Sequence, residues 1–380
     1  MAKCFRVFHT PINLKLESID SVVLACCMLH NFLRQRDAVE YSPPGFVDSD
    51  NQTNGEVVLV TILLDSSFSR DLINRTSVGE FILVGFTNVK ELQVIFFCII
   101  LLFFLLNLTG NTSILWFVSL DSSLHTPMYF FLGNLSFFDI SFSSVAVPKM
   151  LCDFFSQQKT ISFTGCIAQM HFFHFLESSE VTLLTVMSYD RLVAISNPLR
   201  YSVIMNRKLC VCLVIGSYTT GFLHSLLHTL LTAKLPFCGP NKVNHFFCDV
   251  KPVLILACAD ISLNLKLLTM VTGYLATASF LLTLFPYVLI SKFLLKIQTI
   301  KGRKRAFSTC SSHLMVVSLL FGTAMYTYLG PSSQDILDHD RVAAVLFTVI
   351  TPALNPVIYT LRNKDVRQAM RKAIIKCQKM

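Results

Sequence analysis

Long apolar runs separated by short polar segments organise this chain. Residues 92–120 contain no Asp, Glu, Lys or Arg, and the same holds for 209–233, 267–291, 306–334 and 342–361. Two further runs, 126–150 and 163–186, are as long but hold acids: Asp139 in the first, Glu177 and Glu180 in the second. Runs of about twenty apolar residues match the hydrocarbon thickness of a bilayer, where the backbone must satisfy its own hydrogen bonds. The pattern therefore predicts an all-α membrane protein, a bundle of seven transmembrane helices at about 93–118, 126–150, 163–191, 208–232, 265–292, 306–330 and 341–361.

Composition agrees with the pattern. The chain of 380 residues is 53% hydrophobic and only 14% charged, too little polar surface for an ordinary soluble protein. The net charge of +9 sits mainly beside the apolar runs. Arg191, Arg200, Arg207 and Lys208 lie between the third and fourth runs; Lys292, Lys296, Lys301, Arg303, Lys304 and Arg305 between the fifth and sixth. Arg362, Lys364, Arg367, Arg371, Lys372, Lys376 and Lys379 follow the seventh. Basic clusters flanking apolar spans mark the cytoplasmic side, so seven spans place the N-terminus outside and the C-terminus inside. Such clusters suit anionic lipid headgroups and an acidic partner, and no nucleic acid is expected.

Two sequons, Asn74-Arg75-Thr76 and Asn51-Gln52-Thr53, precede the first span, and Asn74 is the expected glycosylation site. The sequons at Asn107, Asn111 and Asn134 fall within apolar spans, out of the modifying enzyme's reach. The first residues do not read as a cleavable signal peptide, which leaves the first span as the insertion signal. Most of the 13 cysteines read as packing residues within the spans. Cys166, Cys238, Cys248 and Cys258 differ, because they cluster at one end of a span and in the polar segment beyond the next, on the face open to oxidation.

The third span ends in MSYDRLVAISNPLRY, residues 187–201. Alone, an Asp-Arg pair at a helix end is more often an interfacial salt bridge than a switch. Here the string resembles the signature of the odorant-receptor family of rhodopsin-like G-protein-coupled receptors. LHTPMYFFLGNLSFFDI from Leu124, CIAQMHFFHF from Cys166, LPFCGPNKVNHFFCD from Leu235, RAFSTCSSHL from Arg305 and PALNPVIYTLRNKDV from Pro352 agree with that family in order and spacing. The resemblance covers about residues 74–375.

The resemblance implies a rhodopsin-like bundle, a small-molecule odorant as ligand and a stimulatory heterotrimeric G protein as partner, with cyclic AMP as the output. It implies no enzyme activity and no cofactor or metal. Tyr189, Asp190 and Arg191, with Asn355, Pro356 and Tyr359, would carry coupling and activation: Arg191, held by Asp190 at rest, would exchange that carboxylate for backbone carbonyls of the G protein. Pro356 lies inside the seventh span, where a plain kink is the alternative reading. Asp139 and Glu180 would either be protonated and hydrogen-bonded or share a sodium ion or proton.

For the cysteines, the resemblance implies a Cys166–Cys248 bridge between the third helix and the following outer loop, and a Cys238–Cys258 bridge closing that loop on itself; by sequence alone other pairings stay open. A mostly apolar ligand pocket is expected among the outer halves of spans three, five and six. Its candidate residues are Phe173, His174, Glu177, Ser178, Phe321, Met325 and Tyr328, each of which serves equally well as helix packing. The wording around Leu124 and Cys238 resembles receptors for airborne hydrophobic odorants rather than for acids.

The sequence departs from the family pattern at Tyr218, where Trp is usual, at Phe321 in place of Tyr, at Leu192 and Ser196 in place of Tyr and Cys, and at Pro286 in place of Ser. The larger departure is a poorly structured extension, residues 1–73, ahead of a receptor domain at 74–380. Within it FRVFHTPINLKLESIDSVVLACCMLHNFLRQRD, residues 5–37, resembles the C-terminal end of Harbinger-type transposase-derived nucleases. The separated carboxylates that would hold two catalytic metal ions are missing from that stretch. Residues 18–34 read as an amphipathic helix and 41–55 as a linker, so the extension reads as a fragment from another gene. A transporter would need internal repeats or paired broken helices, which the sequence does not display. A non-olfactory chemosensory receptor and a non-functional fused product remain the alternatives.

Overall fold

The computed structural model describes residues 78–85, 89–296, 310–323 and 336–362, all within the unit Ser66–Met380. The extension before residue 78, the basic residues 297–309, the tail beyond 362, and Asn74, Met325 and Tyr328 lie outside the described residues.

Seven helical segments dominate the described residues. They are α1 (Lys90–Leu120), α2 (Pro127–Phe155), α3 (Phe163–Ser196) and α4 (Arg207–Ala233). Next comes α5, in which Ser262–Leu267 passes through a π-turn at Leu268–Thr272 into Gly273–Lys296. Then follow α6 (Cys310–Thr323) and α7, which runs from Ile336–Val345 through a π-turn at Leu346–Ile350 into Thr351–Arg362. Five of these are long and apolar enough to cross a membrane; the described part of α6 is shorter, and the acids and polar groups of α3 dilute its apolar run.

Local signals fix the helix starts. Pro127 sits at the first position of α2, where its missing N–H costs nothing. Ser162 caps α3 by accepting from the Gly165 amide at 3.1 Å, and Asn206 caps α4 by accepting from Leu209 at 3.0 Å. Prolines inside α2, α5 and α7 persist because neighbouring helices and local rearrangements re-satisfy the freed carbonyls.

Apolar side chains cover the outside as well as the inside. Leu92, Val94, Ile95, Phe96, Ile99, Leu102, Leu105 and Leu106 of α1 are all exposed, as are Leu281, Leu282, Leu284 and Phe285 of α5. In water such faces would aggregate; in lipid they are the solvated surface. Helix association then cannot come from hydrophobic burial and must come from close packing and interhelical hydrogen bonds.

Both are present. Helix α3 packs against α2, α4 and α5, while α1 packs against α2 and α7. Phe131, Phe138 and Phe142 of α2 are fully buried, and the ring of Tyr218 of α4 lies 4.8 Å from that of Phe138. Asn107 donates to the Asp139 carbonyl at 3.0 Å and Asn111 to the Pro352 carbonyl at 3.2 Å, tying α1 to α2 and α7.

At one end of the helices lies a small sheet, β1 (Glu80–Leu83), β2 (Thr160–Ser162) and β3 (Lys242–Val243), in the order β2-β1-β3. Strand β1 runs antiparallel to β2 with Phe81 opposite Ile161, and parallel to β3 with Ile82 opposite Lys242.

Candidate functional site

The loop between α4 and α5 is fastened onto the start of α3. A disulfide joins Cys166 of α3 to Cys248, and a second joins Cys238 to Cys258 within the loop. Gln169, one turn past Cys166, accepts from the Cys248 amide at 2.9 Å and donates to the Val145 carbonyl of α2 at 3.0 Å. These links put the loop's His245-Phe246-Phe247 over the helices, with Phe247 4.4 Å from the ring of Phe173.

Phe173, His174, Glu177 and Ser178 share one face of α3 because they recur at three- and four-residue spacing. Phe173 also meets Phe142 of α2 at 4.6 Å. His174 faces a carboxylate from each ring nitrogen: Nε2 lies 2.9 Å from Asp249 Oδ1 and Nδ1 lies 3.3 Å from Glu177 Oε2. A ring carrying both protons donates to both acids, so His174 bridges α3 to the loop.

One turn further along, Ser178 is hydrogen-bonded to His224 Nδ1 of α4 at 2.9 Å, and His224 Nε2 to Thr272 Oγ1 of α5 at 3.0 Å. The ring of His228 lies 4.8 Å from that of His224. Phe321 of α6 packs on Phe280 of α5 at 5.3 Å. Asp249, His224, His228 and Thr272 were missed by the sequence reading. Only His224 and His228 carried a signal, a four-residue spacing on one helix face.

Outside the spans, burial would raise the carboxyl of Asp249, but the hydrogen bond from His174 holds it below its ordinary value. Burial pushes His245 down to about 4, with Arg341 adding to the shift. Arg341 of α7 in turn donates to Asn244 of the same loop.

At the other end of α3, Asp190 and Arg191 are buried while Tyr189 is exposed. The Asp190 and Arg191 side chains form no close salt bridge here, although their charges still act on each other. Among the described residues the ion pairs are Lys149–Asp153, His174–Glu177 and His174–Asp249. Asp190 accepts instead from the hydroxyl of Tyr201 at 2.7 Å, and Arg191 Nη1 points at the sulfur of Met128. Burial, then the Asp190 carboxylate, raises Tyr201 above its ordinary value, so it remains a hydroxyl donor. Nearby, Tyr287 of α5 is hydrogen-bonded to the buried His313 of α6.

Between the two ends, Asp139 and Glu180 are buried and Asn355 donates to Asp139 Oδ1 at 2.8 Å. Asp139 Oδ2 and Glu180 Oε1 are buried without a hydrogen-bond partner among the described residues. Pro356 abuts α1 so closely that a Cβ on Gly110 would lie 2.8 Å from its ring. Tyr359 is buried, its hydroxyl without a partner among the described residues. No group of His, Cys, Asp and Glu suited to a metal ion occurs among the described residues.

Long helices with apolar outer faces, a disulfide-fastened loop at one end of α3 and the buried Asp190 and Arg191 at the other define a multi-pass helical membrane protein of receptor type. The chain belongs to the olfactory receptor family, which matches residues 97–377. It is similar to human olfactory receptor 12D1, with 51% identity over 304 residues that cover 80% of this chain and 95% of the relative. Human olfactory receptor 12D3 is 50% identical over 300 residues, 79% of this chain and 95% of that protein. Mouse olfactory receptor 5G9 is 48% identical over 305 residues, 80% and 97% respectively. The family match begins at residue 97 and leaves out the N-terminal extension.

Proposed function

We propose that this protein is an odorant receptor: a seven-helix bundle that binds small, mostly hydrophobic odorants and activates a stimulatory heterotrimeric G protein, raising cyclic AMP. The N-terminus and the disulfide-bearing loop face outward, and the C-terminus and Arg191 face the cytoplasm. The observation that carries the reading is that one helix, α3, joins both ends. It holds the loop through Cys166, Gln169 and His174, and 17 residues after His174 it presents the loosely held Arg191. A ligand that shifts α3 beneath the loop acts on Arg191 through a continuous rigid element.

In this reading Phe173, His174, Glu177, Ser178, Phe321, Met325 and Tyr328 contact odorant, and Tyr189, Asp190, Arg191, Asn355, Pro356 and Tyr359 serve coupling. Asp139 and Glu180 share a cation or proton, and Asn74 carries glycan. Residues 74–380 form the receptor domain, and 1–73 are a separable extension.

The test is an odorant screen read by cyclic AMP, run on the full chain and on a chain starting at Asn74. Both are expected to respond to the same odorants, and Arg191→Ala is expected to silence the response at unchanged surface level. Normal signalling by Arg191→Ala would overturn the assignment.

A further inference from the structure

Among the described residues, β2 and β3 do not pair with each other; each pairs only with β1. Strand β1 therefore joins the α2–α3 connection to the α4–α5 loop. The Ile82 amide donates to the Asn241 carbonyl at 2.8 Å, Leu83 to Lys159 at 2.8 Å, and Val84 to Val243 at 3.0 Å. The Phe163 amide donates back to Gly79 at 3.0 Å, and the Asn241 side chain to Glu80 at 2.9 Å.

Beneath the sheet, Phe81 is fully buried between Phe237 of the loop, at 5.5 Å, and Phe163 of α3, at 5.9 Å, and those two rings lie 5.7 Å apart. The three aromatics come from three separate segments. The loop's far side is fixed to α3 by the Cys166–Cys248 bridge and by His174; its near side, from Phe237 to His245, is joined to β1, to the loop's own Cys258 through Cys238, and to Arg341 of α7 through Asn244.

We propose that β1 is a strap that sets how far the α4–α5 loop opens over α3, so that Phe81 and the Ile82–Val84 backbone govern entry of small molecules to the level of Ser178. Undoing a few backbone hydrogen bonds and one aromatic cluster opens the near side by local unfolding, leaving both disulfides intact. The strap acts on access, whatever molecule enters, and rests on the proposed reading only for the outward orientation of this face.

The experiment uses the full chain carrying Ser178→Cys on intact cells, labelled with a cationic, membrane-impermeant methanethiosulfonate reagent. The rate is corrected for the chain that retains Ser178. Lys242→Cys alone, on the exposed side of β3, is expected to label rapidly; its failure to label would remove the orientation and not the strap. Adding Phe81→Ala is expected to raise the Ser178→Cys labelling rate about tenfold in the molecules that reach the surface.

A second arm does not disturb the aromatic core. Ile82→Cys with Lys242→Cys, opposite each other in register, is oxidised to a bridge that pins β1 to the loop. Bridging is verified in the Ser178 background by loss of labelling at position 242. Labelling at position 178 is then expected to fall several-fold below that of Ser178→Cys alone. An unchanged rate in the bridged protein would overturn the proposal, and this arm decides if Phe81→Ala fails to reach the surface.

Discussion

The hydroxyl of Tyr201 donates to Oδ1 of Asp190 at 2.7 Å, so the hydrogen bond to this acid comes from the loop after α3, while Arg191 acts on it by charge alone. Arg191 is left with the weak acceptor sulfur of Met128, and its Nε is buried without a hydrogen-bond partner among the described residues. A buried guanidinium this poorly satisfied gains most by meeting a better acceptor.

Tyr201→Phe removes the donor that occupies Asp190 and frees the carboxylate to take Arg191. Strengthening that pair by the worth of one hydrogen bond, about 1 kcal/mol, shifts the resting equilibrium about fivefold. Basal cyclic AMP, normalised to surface level, should fall by that factor; a rise would contradict the assignment of Tyr201.

Gly221 of α4 lies against α3, where a Cβ would sit 2.1 Å from Ser179 Oγ and 2.5 Å from the Phe175 carbonyl. Backbone cannot yield as a flexible side chain does, so Gly221→Ala should cost about 1–3 kcal/mol or more. Gly216→Ala, on the same helix with nothing within 4 Å of the added Cβ, should be neutral. Thermal unfolding of the purified variants in detergent checks the pair, and equal melting temperatures would refute the close α3–α4 contact.

His245 is buried and its value is pushed down to about 4 from the ordinary 6.5. Between those values the unfolded chain binds the proton and the folded one does not, so stability rises with pH across that window. Acidification from pH 7 to 5 should therefore weaken the folded loop, by at most roughly 3 kcal/mol over the whole window. Asp249, held below its ordinary value, keeps its contribution until more acid conditions and does not oppose this. Melting of His245→Asn should lose part of the pH dependence between 6.5 and 4; an unchanged profile would exclude His245 as a cause.

Asp139 Oδ2 and Glu180 Oε1 are buried acid oxygens without hydrogen-bond partners among the described residues. A bound sodium ion would lower the cost of ionising them and hold α2, α3 and α7 in the resting arrangement. Basal cyclic AMP in permeabilised membranes should fall as sodium replaces a bulky organic cation, and Asp139→Asn should abolish the effect. Sodium dependence that persists in Asp139→Asn would favour a shared proton instead.

The helices were legible because bilayer thickness and backbone hydrogen bonding leave a run such as 92–120 little else to become. α2 runs on to Phe155 and α3 to Ser196, past the expected ends, because a change from apolar to polar composition does not itself break a helix. The face Phe173, His174, Glu177 and Ser178 could be placed by helical spacing. Its partners could not: Asp249 is 75 residues from His174, and Tyr201 is 11 from Asp190. The sheet was invisible because strands of two to four residues leave no period to detect.

By itself the sequence determined the class of protein, the helical runs and the motifs that mark its family, because these depend on local apolar length and on residue identity. Only the tertiary structure decided that His174 bridges Glu177 and Asp249, that Tyr201 rather than Arg191 satisfies Asp190, and that β1 joins two loops through Phe81. Each is a choice among partners distant in the chain. It is settled by which buried donors and acceptors come within about 3 Å once the helices pack, a quantity that no single segment encodes.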